Sequence, residues 1–257
     1  MCELFGASSR DRVELNPYLR EFYTHDEHNP HGWGITWNDN GRLFAKKEPV
    51  RASASAYLKD LLDRPIRSRL LLAHVRLATK GSIEYENTHP FIREDRGGRV
   101  WTLIHNGTIF ESEELAGYIH TQLGNTDSER ILCCLISRMN SAIRKKGEVL
   151  TDAECIAVVE QLIADIAPEN KVNLIVTDGH LLYAHANYKN GLHLMKTATT
   201  TVIATNPLCA GPWEEFPLNT LLVFRDGEEI YRGTPHEYEF FDSEEKLRFL
   251  YLDFAGI

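Results

Sequence analysis

Between Val172 and Gly233 the chain breaks into short segments rich in Val, Ile, Leu and Thr, separated by turns. Val172–Thr177, His180–Ala186, Thr201–Thr205, Thr220–Phe224 and Glu229–Gly233 read as strands, each too short for a packed helix. Asp178-Gly179 and Asp226-Gly227 are turn dipeptides that predict hairpins, because both residues of a tight hairpin turn need a positive φ. The N-terminal half adds strand patterns at Glu3–Ser8, Gly34–Asn38, Arg42–Lys46, Arg69–Arg76 and Val100–His105. Helical periodicity covers Ala54–Leu62, Ser128–Ile143 and Ala153–Ile166, and in the second Ile131, Leu135, Ile136, Met139 and Ile143 share one stripe. Strands that outnumber helices and adjoin through tight turns favour antiparallel sheets covered by helices over a doubly wound parallel sheet. The pattern therefore predicts an α+β fold. With no repeat and no long Pro/Gly/Ser linker, residues 1–257 are expected to form a single domain.

Charge and cysteine usage narrow the function. With 28 Lys+Arg against 37 Asp+Glu the net charge is −9, and no basic cluster offsets it. That argues against nucleic acid or an anionic membrane as a partner. Apolar stretches such as Leu70–Ala73 are far too short for the roughly 20 residues that span a bilayer. The opening Met-Cys-Glu-Leu-Phe lacks the basic and then apolar pattern of a secretory signal. Five cysteines without C-x-x-C spacing read as reduced thiols, so a cytoplasmic location is expected. Cys133, Cys134 and Cys155 fall in helical patterns, where they serve as small buried hydrophobes.

Cys2 stands apart because it follows the initiator Met and is small enough for that Met to be removed. A thiol on the first residue lies beside its own α-amine, whose reference pKa of about 7.7–8.0 leaves a neutral fraction able to accept the thiol proton. Three further segments could supply the rest of a site. His74-Val75-Arg76-Leu77-Ala78-Thr79-Lys80-Gly81 runs from a strand end into a polar loop, where Arg76 can present a planar fork to a carboxylate. Leu103-Ile104-His105-Asn106-Gly107-Thr108 brings a side-chain amide next to a glycine N–H, a pairing that can hold an oxyanion, although Asn-Gly is equally a common turn dipeptide. In Asn125-Thr126-Asp127-Ser128-Glu129-Arg130, Thr126 and Glu129 predict a capping box, and Asp127 suits the first turn of a helix or a substrate ammonium.

Taken together these segments resemble the glutaminase domain of class II glutamine amidotransferases, a family of N-terminal-nucleophile hydrolases. The resemblance rests on Met-Cys at the start, His-x-Arg-x-Ala-Thr-x-Gly at 74–81, Thr-His-Pro at 88–90, His-Asn-Gly at 105–107 and Thr-Asp-Ser-Glu at 126–129. His-Gly-Trp-Gly at 31–34 and Ala-Thr-Asn-Pro-Leu at 204–208 are similar to the stand-alone subgroup. The resemblance implies a four-layer αββα sandwich and hydrolysis of the glutamine side-chain amide, with no metal or organic cofactor. It implies Cys2 as nucleophile, Asn106 and Gly107 as the oxyanion site, Arg76 and Asp127 as partners of the substrate's α-carboxylate and α-ammonium, and Thr79 and His89 as pocket lining. Leu77 and Lys80 depart from the Trp and His that many members carry.

The resemblance reaches only the glutaminase half of the better-known members, so ammonia is expected to pass to a separate synthase subunit. Alternatively, the substrate is the amide of a larger γ-glutamyl metabolite. Two readings of another class also stand beside these. One is a binding module that keeps the fold without turnover. The other is a metal-dependent hydrolase built on His25, His28 and His31, although Pro30 breaks any helix that would align them.

Overall fold

The computed structural model describes residues 2–39, 41–110 and 112–243. Met1, whose removal the sequence leads one to expect, lies outside the described residues. Two antiparallel sheets face each other. The first contains β1 (Glu3–Glu14), β2 (Trp33–Asp39), β3 (Arg42–Glu48), β4 (Arg67–Val75), β9 (His193–Lys196), β10 (Thr200–Ala204) and β11 (Glu214–Glu215), in the order β11-β9-β10-β1-β4-β2-β3. The second contains β5 (Phe91–Glu94), β6 (Val100–Thr108), β7 (Lys171–Thr177), β8 (Leu182–His185), β12 (Leu222–Arg225) and β13 (Glu228–Arg232), in the order β13-β12-β8-β7-β6-β5. Helices α1 (Asn16–Phe22) and α2 (Ala56–Leu62) pack on the outside of the first sheet. The long helices α4 (Asp127–Lys146) and α5 (Asp152–Ile166), with the short α3 (Glu113–Ala116), cover the second. This is the four-layer αββα arrangement.

Alternation along the strands assigns each side chain to a layer. In β4, Leu70 and Leu72 enter the layer between the sheets, while Leu71, Ala73 and Val75 pack under α1 and α2. In β6, Leu103 faces the helices and Ile104 the opposite sheet. In β7, Val172, Leu174 and Val176 face the helices and Ile175 the opposite sheet. The sheets approach closely at Gly6, where a β-carbon would come within 3.1 Å of Ile175. Removing a leucine from this layer, for example Leu72, should cost about 2–5 kcal/mol.

The two Asp-Gly turns behave as read: Asp178-Gly179 joins the paired strands β7 and β8, and Asp226-Gly227 joins β12 and β13, with positive φ at both Asp226 and Gly227. The stripe on α4 is also as read, with Ile131, Leu135, Ile136 and Met139 buried and Ile143 packed against them. The helix ends where Gly147 takes a left-handed conformation after Arg144, Lys145 and Lys146, which suit the negative end of its dipole. Elements absent from the sequence reading are α1, whose Asn16-Pro17 opening resembles a turn, the short helix α3, and the short strands β5, β9 and β11.

Candidate active site

Antiparallel pairing puts the start of β1 beside the end of β4 and the end of β6 beside the start of β7, and the bond from the Lys80 ammonium to the Ile109 carbonyl brings the two pairs to the same end of the sandwich. Extending the alternation places Cys2, His74, Arg76, Asn106, Lys171 and Asn173 on the strand faces that look between the sheets at that end. The register Glu3–Val75 brings Cys2 opposite Arg76. The Cys2 Sγ lies 3.2 Å from both the N–H and the carbonyl of Leu77, accepting from one and donating to the other. Burial raises the thiol's pKa, Arg76 opposes that rise, and the Asp127 carboxylate adds to it.

Arg76 is buried, and its guanidinium donates to the carbonyls of Lys80, Gly81 and Ser82 at 3.0–3.2 Å. Three bonds out of five N–H donors leave at least two uncommitted. The loop after β4 is thus wrapped around the side chain and holds its plane. Burial lowers the Arg76 pKa, while the charges of Cys2 and Asp127 hold it up. His31 braces the same loop by accepting the Ala78 N–H at 2.9 Å, and burial and Arg76 keep its pKa down, in keeping with an unprotonated acceptor.

Asn106-Gly107 is not a turn: both residues sit inside β6, opposite Asn173 and Val172 of β7. Asn106 is buried, yet its side chain makes no hydrogen bond among the described residues. The Val172 N–H is taken by Asn187 Oδ1 at 2.7 Å and the Val172 carbonyl by His185 Nδ1 at 2.8 Å. Both backbone groups of Val172 therefore face β8, and Gly107–Val172 is a non-hydrogen-bonded pair. The Gly107 N–H then points to the other edge of β6, beyond Phe91–Leu103, where pairing with β5 begins. A glycine is obligatory here because a β-carbon would overlap the Lys171 carbonyl oxygen.

Asp127 opens α4 and is buried. Its Oδ2 accepts the Ile109 N–H at 2.8 Å, and its Oδ1 accepts the Ser128 N–H at 2.8 Å, which fixes the carboxylate just past the end of β6. The expected capping box is only half formed. Thr126 accepts the Glu129 N–H, but the Glu129 carboxylate instead receives the N–H groups of Leu123 and Gly124 and pairs with Arg93. A full capping box occurs on α5, between Thr151 and Glu154. His105 reaches from β6 toward α4. Its Nε2 donates to the Lys171 carbonyl at 3.2 Å, and its Nδ1 lies 2.9 Å from the oxygen of the Ser128 hydroxyl, which is also within reach of Asp127 Oδ1 at 3.2 Å.

Thr79 is half-buried in the loop after Arg76. His89 is buried deeper, tilted against His74 with ring centroids 4.1 Å apart and edge-on to Phe91 at 4.5 Å. Desolvation pushes His74 down to about 3 and His89 well below the usual histidine range, so both rings are neutral. The three histidines of residues 25–31 do not converge. His25 pairs with Glu3 at 2.7 Å, His31 holds Ala78, and His28 is exposed. Among the described residues no group of three or more His, Cys, Asp or Glu is placed to hold a metal ion. No helix there is long and apolar enough to cross a membrane.

Two lysines near the site have no role assigned from the sequence, where Lys80 stands only as a departure from the family pattern. Lys80 donates to the Ile109 carbonyl at 2.6 Å and so bridges the Arg76 loop to the segment after β6. Lys171 opens β7 as a buried cation, a position where a lysine in sequence reads as a solvated strand end.

The model of the class II glutamine amidotransferase family matches residues 1–199. An uncharacterised protein of Methanocaldococcus jannaschii is 30% identical, covering 90% of this chain and 71% of its own length. Among solved structures, one from Pseudomonas aeruginosa, titled a predicted glutamine amidotransferase, aligns with a TM-score of 0.64 at 23% identity. It covers 90% of this chain and 100% of that one. The B. subtilis glutamine phosphoribosylpyrophosphate amidotransferase aligns with a TM-score of 0.68 at 16% identity, over 92% of this chain and 50% of its own. These two similarities speak for the fold, while the family match extends through every segment gathered at the end of the sandwich. The chain belongs to the class II glutamine amidotransferases, enzymes that hydrolyse the glutamine amide and transfer its ammonia.

Proposed function

We propose that this chain cleaves the side-chain amide of glutamine through a γ-glutamyl thioester on Cys2 and hands the ammonia to a separate acceptor enzyme. The observation that carries this reading is the uncommitted Asn106 amide beside an outward-pointing Gly107 N–H, at the end of the sandwich that holds Cys2. Donors that no protein group satisfies, fixed on a rigid strand, are what a developing oxyanion requires.

In this reading the Cys2 thiol attacks the amide carbon and its proton passes to the α-amine of the processed chain. The tetrahedral oxygen is held by Asn106 and Gly107. The α-amine returns the proton to the leaving nitrogen, ammonia departs, and the thioester remains. Water then attacks the thioester, giving up a proton by way of the same amine to the departing thiolate, and glutamate is released. Arg76 spends its free N–H groups on the α-carboxylate, and the fixed Asp127 carboxylate accepts the α-ammonium. Thr79 lines the pocket wall, and His89 supports it from beneath through His74.

The test is the intact mass of the processed chain after treatment with a glutamine-mimicking diazoketone. A single adduct on the wild type, absent from Cys2→Ala, supports the reading. A processed wild type that turns over glutamine yet takes no adduct, or a Cys2→Ala variant that still turns over, overturns it.

A further inference from the structure

A hollow of about 280 Å³ lies between the β5–β6 hairpin and α4 and shares no lining residue with the candidate active site. Arg93 and Arg96 reach it from the hairpin, Ser137, Asn140 and Arg144 from α4, and Thr121 from the segment before that helix. No carboxylate of the described residues lines it. The acids beside Arg93 and Arg96 in sequence are turned elsewhere. Alternation puts Glu94 on the face of β5 opposite Arg93, and Asp95 accepts from Trp101 Nε1 and from the Gly97 and Arg99 N–H groups.

Exposed arginines elsewhere on this acidic chain, such as Arg10, Arg67 and Arg232, sit against carboxylates. Arg96 and Arg144 are exposed too, yet neither forms an ion pair among the described residues. The dipole of α4 accounts for Arg144 near its end, but not for Arg96. Two unanswered like charges on one small hollow repel each other, and an anion between them removes that repulsion. Arg93 differs, because its Nη2 donates to Glu129 at 3.0 Å and to the Thr121 carbonyl at 2.8 Å. Its charge is answered, while its Nε and Nη1 stay uncommitted among the described residues. Asn140 Oδ1 accepts the Arg96 N–H at 2.7 Å, which leaves its Nδ2 to donate. The hollow thus offers two net positive charges, three planar forks and side-chain donors from Thr121, Ser137 and Asn140. A phosphate monoester, with a charge of about −1.5 to −2 and three acceptor oxygens, matches that set better than a single carboxylate.

We propose that this hollow binds the phosphate group of a small metabolite and that its occupation steadies the turn leading into Asp127. Arg93 and Glu129 together clamp that turn, since the Glu129 carboxylate also accepts the Leu123 and Gly124 N–H groups at 2.8 Å. The next residue, Asn125, donates its N–H to Asn87 Oδ1 at 2.8 Å, and Thr126 caps the helix that Asp127 opens. An anion on Nε and Nη1 of Arg93 holds the clamp without displacing Glu129. The binding stands apart from the reading of Cys2, whereas its effect on glutamine rests on Asp127 taking the substrate ammonium.

The experiment titrates the full chain with inorganic phosphate at constant ionic strength, with acetate as the carboxylate control, and reads binding by phosphorus NMR and hydrogen exchange. Saturable binding of phosphate is expected, and Arg96→Gln and Arg144→Gln, both at exposed positions, should each weaken it about tenfold. Saturation should slow exchange at the Leu123 and Gly124 N–H groups in the wild type. The KM for glutamine should fall by about fivefold with phosphate bound, and stay unmoved in the two variants at the same concentration. Phosphate binding that does not saturate, or that is equal in wild type and variants, overturns the inference. So does acetate binding as tightly, or an acidic peptide that binds where phosphate does not. Saturable binding that leaves Leu123 and Gly124 exchange unchanged overturns the link to the turn. Binding and exchange are also read in Cys2→Ala, where both should persist, so failure of the nucleophile reading is distinguishable from failure of this one.

Discussion

Gly107 on β6 lies so close to the Lys171 carbonyl on β7 that no side chain fits between them, and a β-carbon would also overlap His105 Nε2. The backbone that presents one proposed oxyanion donor is thus locked to the strand that carries the buried lysine. Gly107→Ala must push the two strands apart or displace His105. Overpacking of this kind typically costs ~1–3 kcal/mol. Because each kcal/mol is worth about 2–4 °C in a chain of this size, a clear fall in Tm is expected. Thermal unfolding followed by circular dichroism checks it, and an unchanged Tm would contradict the contact.

Arg76 has two tasks, and one substitution series separates them. Its fork is held by the carbonyls of Lys80, Gly81 and Ser82, and its remaining N–H groups are the ones proposed to take the substrate carboxylate. Losing one partner of a buried charge pair costs ~2–5 kcal/mol, so Arg76→Ala should raise KM for glutamine by roughly 30-fold or more. Arg76→Lys keeps the charge without the fork, and its KM should fall between the two. Steady-state kinetics settle the matter. A KM for Arg76→Ala equal to the wild type would remove Arg76 from the substrate site.

Much of this architecture is legible in the residues because the two Asp-Gly turns and the alternating strands leave few ways to pair. The long amphipathic helices α4 and α5 are equally plain. Elements whose stability is wholly tertiary are not. β5 is four residues long and exists because it lies along β6, and α1 buries Leu19 and Phe22 only once the first sheet is formed. Of the proposed site residues, Cys2, Arg76 and Asp127 are expected from the order of the segments that carry them. Lys171, buried near the site, is not, since its burial depends on Tyr188 and on residues 236–243, distant in sequence. Asn-Gly reads as a turn dipeptide, and only the crowding between β6 and β7 explains a glycine within a strand. Glu129 illustrates the opposite error: the residue three after an N-cap threonine is drawn to free N–H groups at Leu123 and Gly124 rather than back to the cap.

Asn106 offers a separation of function from stability. Its side chain is buried but makes no hydrogen bond among the described residues, so truncation leaves no partner unsatisfied. Asn106→Ala is therefore expected to keep the wild-type Tm. If its amide meets charge only in the transition state, kcat should fall by about 10²–10³ with little change in KM. Turnover and a melting curve on the same preparation provide the check. An effect confined to KM would reassign Asn106 to ground-state binding.

His74, His89 and His185 make stability depend on pH in a defined direction. Burial holds His74 and His185 at about 3 and His89 well below the usual histidine range, so all three rings are neutral in the folded chain near neutral pH. Unfolded, each ring takes up a proton near its ordinary value of about 6.5. The unfolded state thus binds more protons below pH 6.5, and stability is complete above that value and lost as the pH falls toward 3. Between pH 7.5 and pH 5.5 each ring should remove about 1.4 kcal/mol, in a range where carboxylates do not yet titrate. The urea midpoint should accordingly be lower at pH 5.5 than at pH 7.5. His185 donates from Nδ1 to the Val172 carbonyl and can accept at Nε2 from His236 only while neutral, so the same loss of stability should loosen residues 236–243. Hydrogen exchange at Tyr238 and Phe240, faster at pH 5.5 after correction for the intrinsic rate, would place that effect. Equal urea midpoints at the two pH values would mean that the buried rings carry their protons in the folded chain.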